Sequence, residues 1–266
     1  MPSDLETAKA LAVHAGAILL EHYSNTSVHW KGPRNPVTEA DRLANDFLVK
    51  ELKRLFPKDG ILAEEEPDKM DRLSNSRVWI VDPLDGTMEF VNHLDEFAVM
   101  IGLSIDGKAS LGIVYQPTAQ KLYYAMSGSG AFLTENRTTR LLRVYPESDP
   151  LEVTIALSRS HHSPKVDIIQ RELRIKNAIS SGSIGLKVGL ICEGRAHVYV
   201  HTSRHTSQWD TCAPDVILHE AGGRMTDLLN APLRYNKPEV RNLHGVIASN
   251  GTIHERIAKA AQSVLA

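Results

Sequence analysis

The sequence predicts stacked helix and sheet layers in two sub-domains, an α+β unit over residues 1–150 and an α/β unit over 151–266. Three observations carry this. Two N-terminal segments space their apolar residues as helices do. The stretch from 77 to 144 then changes to short runs of β type, and from about residue 150 strand-like and helix-like segments alternate.

Residues 3–23 place Leu5, Ala8, Leu11, Ala12, Ala15, Ile18 and Leu19 on one helical stripe, and Ser3 with Glu6 reads as a capping box at its start. The polar stretch SNTSVHWKGPRNP (24–36) reads as a loop. A second helix starts near Thr38, carries Leu43, Phe47, Leu48, Leu52 and Leu55, and stops at Pro57. The short apolar GILA (60–63) and the alternating RVWIVD (77–82) read as strands. FAVMIGLSI (97–105) and ASLGIVYQ (109–116) flank Asp106-Gly107, a strong hairpin signal. KLYYAM (121–126), GAFLTE (130–135) and TRLLRV (139–144) extend a mostly antiparallel sheet. Beyond 150, VTIALS (153–158), HVYVH (197–201) and HGVIASN (244–250) are strands. SPKVDIIQREL (163–173), SIGLKVGLICEG (183–194), WDTCAPDVILHEAGG (209–223) and TIHERIAKAAQSVL (252–265) are helices.

Composition narrows the function classes. With 42% apolar residues, 23% charged residues and a formal charge of −2, the chain has the makings of a sizeable core and no basic surplus for a nucleic-acid polymer. No apolar run is long enough to span a membrane, and MPSDLETAKA lacks the order of a secretory signal. Cys192 and Cys212 form no CxxC pair and read as two buried thiols of a reducing cytoplasm. The expected partner is a small phosphorylated metabolite. The oligomeric state is open, a homodimer included.

The densest chemical signal is WIVDPLDGTMEF (79–90). A strand runs into Asp82, Pro83 stiffens the exit, and Asp85, Gly86 and Thr87 follow within a turn, so two carboxylates converge at a strand end. Carboxylates and a phosphate repel unless hard cations lie between them, and Mg²⁺, which takes oxygen ligands and bridges to phosphate, suits that position. Upstream, AEEEP sets Glu64, Glu65 and Glu66 in a row. This is either a solvated loop or a further ligand at the end of GILA. Asp41 in VTEAD fits a capping box with Thr38. Asp210 in QWDTCAPD is either an N-cap or a metal ligand. Trp209 reads as packing for its helix. The histidines, His161, His162, His201 and His205 among them, show no HExxH spacing, which argues against zinc. There is no GxSxG elbow and no CxxxxxR loop. Lys31, Arg34 and Lys187 are candidates for steering a phosphate.

VTEAD (37–41), ILAEEE (61–66), WIVDPLDGTMEF (79–90) and WDTCAPDVILHEAGG (209–223) together resemble the inositol monophosphatase superfamily, in order and spacing, over nearly the whole chain. The resemblance implies a layered αβαβα sandwich and lithium-sensitive hydrolysis of a phosphate monoester with two or three Mg²⁺ ions, Mn²⁺ substituting. Carried over, Glu64, Asp82 and the Leu84 carbonyl would hold one ion and Asp82, Asp85 and Asp210 a second, with Asp41 and Glu65 supporting a third. Thr87 would help Glu64 position the attacking water, and the Gly86 and Thr87 amides would grip phosphate. Met88-Glu89-Phe90 and GSIGLK (182–187), with Ser183 and Lys187 expected near the substrate, look like the 3'(2'),5'-bisphosphate nucleotidase branch. The acid that grips an inositol hydroxyl would fall near His201, where no carboxylate stands. The expected substrate is therefore 3'-phosphoadenosine 5'-phosphate, with inositol 1-phosphate or a sugar bisphosphate as alternatives. A catalytically silent binding protein of the same fold is the non-enzyme alternative.

Overall fold

The computed structural model describes residues 3–24, 28–32 and 35–264. Helix α1 (Asp4–His22) opens at Ser3, whose hydroxyl accepts the Glu6 amide, and it buries Ala8, Leu11, Ala12, Ala15 and Leu19. The segment expected to be a loop instead holds two antiparallel strands, β1 (Val28–Gly32) and β2 (Asn35–Thr38). Its β-branched and aromatic residues prevail over the turn formers between them. Lys31 falls in β1, and its side chain, like the whole of Arg34, lies outside the described residues. Helix α2 (Glu39–Leu55) starts on a complete Thr38–Asp41 capping box. Its buried stripe runs through Ala40, Ala44, Leu48 and Leu52, which leaves Leu43 and Leu55 exposed, contrary to the sequence reading.

A seven-stranded sheet follows in sequence order: β3 (Gly60–Ala63), β4 (Arg77–Asp85), β5 (Ala98–Ile105), β6 (Lys108–Gln116), β7 (Lys121–Met126), β8 (Ala131–Glu135) and β9 (Thr138–Leu142). Within it β3 and β4 are parallel and the remaining pairs antiparallel. Short helix α3 (Thr87–Val91) leaves the end of β4.

The second sheet has the order β11-β10-β12-β14-β13. It is built from β10 (Thr154–Ser158), β11 (Asn177–Ser181), β12 (Val198–His201), β13 (Arg224–Thr226) and β14 (Val246–Ser249). The unexpected members, β11 and β13, are its two edges. One is polar and the other three residues long, as edges that avoid pairing with other chains tend to be. Helices α4 (Pro164–Leu173), α5 (Ile184–Cys192), α6 (Gln208–Glu220) and α7 (His254–Ser263) complete the chain.

The buried clusters define five layers. Residues of α1 and α2 pack on one face of the first sheet around Trp79, Val99 and Ile101. Residues of α5 and α6 lie between the sheets, touching Met100 and Val114 on one side and Ala156, Tyr199 and Ala248 on the other. Residues of α4 and α7 cover the outer face of the second sheet with Val166, Ile169 and Ile257. The architecture is α-β-α-β-α, as the resemblance implies. Cys192 and Cys212 are buried, unbonded thiols of the middle layer. Among the described residues no helix is long and apolar enough to cross a membrane.

The middle layer depends on close backbone approach. A Cβ built on Gly112 of β6 would lie 2.2 Å from the Ala213 carbonyl oxygen of α6. Gly112→Ala should therefore push α6 off the sheet and destabilise the protein by about 3 kcal/mol, the upper range for overpacking, as read by denaturant unfolding. Wild-type stability in that variant would mean that α6 is not held there.

Candidate active site

The parallel pairing of β3 with β4 sets Ala63 beside Val81, and the Glu64 amide continues the ladder to the Val81 carbonyl at 3.1 Å. Glu64 and Asp82 thus leave adjacent strands at their carboxyl ends, a position where α/β sheets collect ligands. Asp82 is buried, and its Oδ1 accepts the Leu84 amide at 3.0 Å. Three residues on, β4 ends in Asp85, and Gly86 turns the chain into α3 at φ 96°, a left-handed conformation that glycine adopts without strain.

Asp85 is anchored from the second half of the chain. The Ser183 hydroxyl donates to its Oδ2, and the Gly185 amide in the first turn of α5 donates to the same oxygen at 2.9 Å. The α5 start, expected to face substrate, gives these two donors to the Asp85 carboxylate, and Ser183 also lines the cleft. Asp210 comes in on α6, where the Ser207–Asp210 capping box leaves one carboxylate oxygen on the Ser207 amide. The N-cap is Ser207, so Asp210 serves both as the capping acid and as a member of the acidic cluster.

Carboxylate oxygens of Asp82, Asp85 and Asp210 all lie within 4.8 Å of one another. Burial first, and then Glu64, Asp85 and Asp210, push the Asp82 carboxyl well above its ordinary range. Asp210 is pushed up to about 7 by burial and by Asp85. Burial also raises Asp85, against the opposing pull of Lys187 and Ser183. Two buried acids and a half-buried one that resist ionising together, with oxygen donors only, are the donor set of a hard divalent cation. The residues fit a metal ion.

The cluster lines a cleft of about 660 Å³ together with Glu64, Leu84, Gly86, Thr87, Ser183 and Lys187. Asp41 and Glu65 are not among its lining residues. Asp41 stands behind Thr87: the Thr87 hydroxyl donates to the Leu84 carbonyl at 3.1 Å and lies 3.5 Å from Asp41 Oδ1. Asp41 Oδ2 accepts the Thr38 amide at 2.7 Å. Glu65 lies in the turn after β3.

Lys187 is neither a solvated surface residue nor an extended arm. It is buried, its ammonium donates to the Gly182 and Ser181 carbonyls at 2.9 and 3.3 Å, and burial lowers it to about 8. Trp209, read from the sequence as packing, is half-buried and lines the cleft. Sequence reasoning missed part of the lining. Arg159, His161 and His162 from the β10–α4 loop, His201 at the end of β12 and His205 from the β12–α6 loop all line the cleft. No spacing links two loops that the fold alone brings together.

The whole chain, residues 2–266, matches the model of the inositol monophosphatase family. This chain belongs to that family. A 3'(2'),5'-bisphosphate nucleotidase CysQ of Aggregatibacter actinomycetemcomitans is 34% identical over 239 residues, covering 88% of each chain. An inositol-1-monophosphatase of Bacillus subtilis is 32% identical over 260 residues, covering 95% of this chain and 94% of its own. Among solved structures, an IMPase of Thermotoga maritima superposes with a TM-score of 0.84 at 28% identity, over 98% of this chain and 97% of that one. As a family member, the chain is a metal-dependent phosphoric monoester hydrolase.

Two measurements on this phosphatase follow from the carboxylate trio. Asp82→Asn should lower kcat by roughly 10³-fold, about 4 kcal/mol of transition-state stabilisation. Activity within tenfold of wild type would remove Asp82 from the metal site. Millimolar Mg²⁺ or Mn²⁺ should raise the wild-type Tm, because a ligand that binds only the folded state stabilises it. The same addition should do much less for Asp82→Asn, whose metal-free Tm should equal or exceed wild type because one repelling charge is gone. A lowered metal-free Tm would show that Asp82 serves structure instead.

Proposed function

We propose that this phosphatase uses Mg²⁺ to hydrolyse a small ester carrying a second phosphate, the 3'-phosphate of 3'-phosphoadenosine 5'-phosphate being the first choice. One observation carries the reading: the cleft that holds Glu64, Asp82, Asp85 and Asp210 is also lined by Arg159, Lys187 and the histidines His161, His162, His201 and His205. His201 stands near the position where the resemblance would put an acid for an inositol hydroxyl. Burial pushes it down to about 4, so it is neutral near pH 7, and its two ring nitrogens lie 3.2 Å from the Tyr199 hydroxyl and 2.7 Å from the Ser203 hydroxyl. A wall with no carboxylate there spares a second phosphate the repulsion it would otherwise meet.

Asp82, Asp85 and Asp210 would hold the cation, with Glu64 and the Leu84 carbonyl beside them. When bound, the cation supplies positive charge for the phosphoryl oxygens and the departing alkoxide. Glu64 and the Thr87 hydroxyl, the latter aimed by Leu84 and Asp41, position the attacking water, and Glu64 takes up its proton. The Gly86 and Thr87 amides, at the turn into α3, would grip the phosphate. Lys187 has two N–H groups on carbonyls and a third left for an anion in the cleft it lines. The CysQ relatives support this substrate choice. Inositol monophosphate is the second reading, favoured by the Bacillus subtilis relative. A silent binding protein has no use for an intact carboxylate trio with Glu64 and Thr87 in place.

Phosphate release from a substrate panel tests the reading. In Mg²⁺, kcat/KM for 3'-phosphoadenosine 5'-phosphate should exceed that for adenosine 3'-phosphate and inositol 1-phosphate by about tenfold or more, the value of one charge-assisted contact. Equal values would end the second-phosphate reading. Millimolar Li⁺ at low Mg²⁺ should also inhibit, by displacing a cation at Asp82, Asp85 and Asp210. Unchanged turnover in Li⁺ would count against that site as a weak one.

A further inference from the structure

One buried acid of the cleft has no part in the chemistry above. Glu89 of α3 is 3% exposed and lies outside the carboxylate trio, and its Oε1 accepts the Ser160 hydroxyl at 2.6 Å. A Cβ built on Gly182 would fall 2.4 Å from Glu89 Cγ and 2.4 Å from the Glu96 carbonyl oxygen. The backbone after β11 is therefore bare where the Glu89 side chain crosses it.

Ser160 belongs to the β10–α4 loop, the loop that gives the cleft wall Arg159, His161 and His162. A second tie fixes the same loop. The Arg159 guanidinium makes two bonds of 2.6 Å to Glu96, which also accepts the Gly182 amide at 2.7 Å. Glu89 and Glu96 both come from the β4–β5 connection, the segment that begins with Gly86 and Thr87. Two acids on one connection thus hold the β10–α4 loop, part of the lining of the cleft.

We propose that Glu89 is a positioning residue for substrate reach: through Ser160 it fixes where the β10–α4 loop, with Arg159, His161 and His162, stands relative to Gly86 and Thr87. It acts on the part of the substrate that does not react. It binds neither the metal nor the scissile phosphate. The inference rests on the proposed reading that this cleft accepts an extended phosphate ester. It also gives a physical reason for an acid two residues after Thr87, a position that in the sequence served only as a mark of resemblance.

The test compares Glu89→Ala, Glu89→Gln and Ser160→Ala with wild type, using 3'-phosphoadenosine 5'-phosphate as the extended ester and p-nitrophenyl phosphate as the small one. Glu89→Ala and Ser160→Ala should raise KM for the extended ester about tenfold and change kcat less than about threefold. The ratio of kcat/KM for the extended over the small ester should fall about tenfold. Glu89→Gln keeps an acceptor for Ser160 and should restore most of the KM. The Mg²⁺ concentration for half-maximal activity should stay at the wild-type value in all three. A shared fall in kcat on both esters, or a shifted Mg²⁺ requirement, would put Glu89 in the chemistry and overturn the proposal. Unaltered KM in Glu89→Ala and Ser160→Ala would overturn it too. Should Glu89→Ala fail to fold, the Ser160→Ala and Glu89→Gln pair decides. Wild type shows separately whether the substrate reading holds: if it prefers a different extended ester, the variants are read on that ester.

Discussion

The carboxylate trio sets the terms for the rest of the molecule. Three acids whose oxygens lie within 4.8 Å of one another repel in a low-dielectric interior, and they stay together only because the backbone holds each one. The Leu84 amide holds Asp82, the Gly185 amide and Ser183 hydroxyl hold Asp85, and the Ser207 amide holds Asp210. These donors come from the end of β4, the start of α5 and the start of α6. The middle helical layer must therefore bring two helix N-termini to one strand end. Its tight seating, with the Gly112 backbone against Ala213, follows from that requirement. The N-terminal ends of helices carry unsatisfied amides and partial positive charge, so they suit this task.

A cation completes what the backbone begins. Without one, burial and then mutual repulsion hold the Asp82 and Asp210 carboxyls above their ordinary range, and the backbone donors only partly offset this. Lys187 is the buried cation provided by the chain itself. It is close enough to feel Asp85, Glu89, Glu96 and Asp210, yet its ammonium is turned onto the Ser181 and Gly182 carbonyls, so it lowers the charge of the site without closing it. A lysine reaching directly into the trio would compete with the metal for the same oxygens.

Much of this was legible in the sequence, because the strongest signals are local. DPLDGT fixes two acids at a strand end, Thr38 with Asp41 makes a cap, and GILA before Glu64 puts that acid at the end of another strand. The five-layer order followed from periodicity together with the resemblance. Less legible were features created by contacts between distant segments. Polar β11 carries no apolar alternation, so nothing announced it. The Ser183–Asp85 bond spans 98 positions, farther than any local pattern reaches. Lys187 sits in a helix whose residues are all buried. Its immersion depends on the two sheets that enclose α5, which no local window contains.

The same reasoning explains where the groups that line the cleft stand. The acids Glu64, Asp82, Asp85 and Asp210 stand at the ends of β3 and β4 and at the start of α6, positions set by sheet pairing and helix caps. Arg159, His161 and His162 stand on the β10–α4 loop and His205 on the β12–α6 loop, where a change of side chain costs little stability. On the proposed reading, charge for the chemistry is built into the layers and substrate choice into the loops. Such a separation would let one architecture serve both a bisphosphate nucleotidase and an inositol monophosphatase, the activities named for two relatives of this chain. A loop still needs an anchor if it is to select by distance. Glu89 and Glu96 hold the β10–α4 loop from the β4–β5 connection, the segment that presents Gly86 and Thr87.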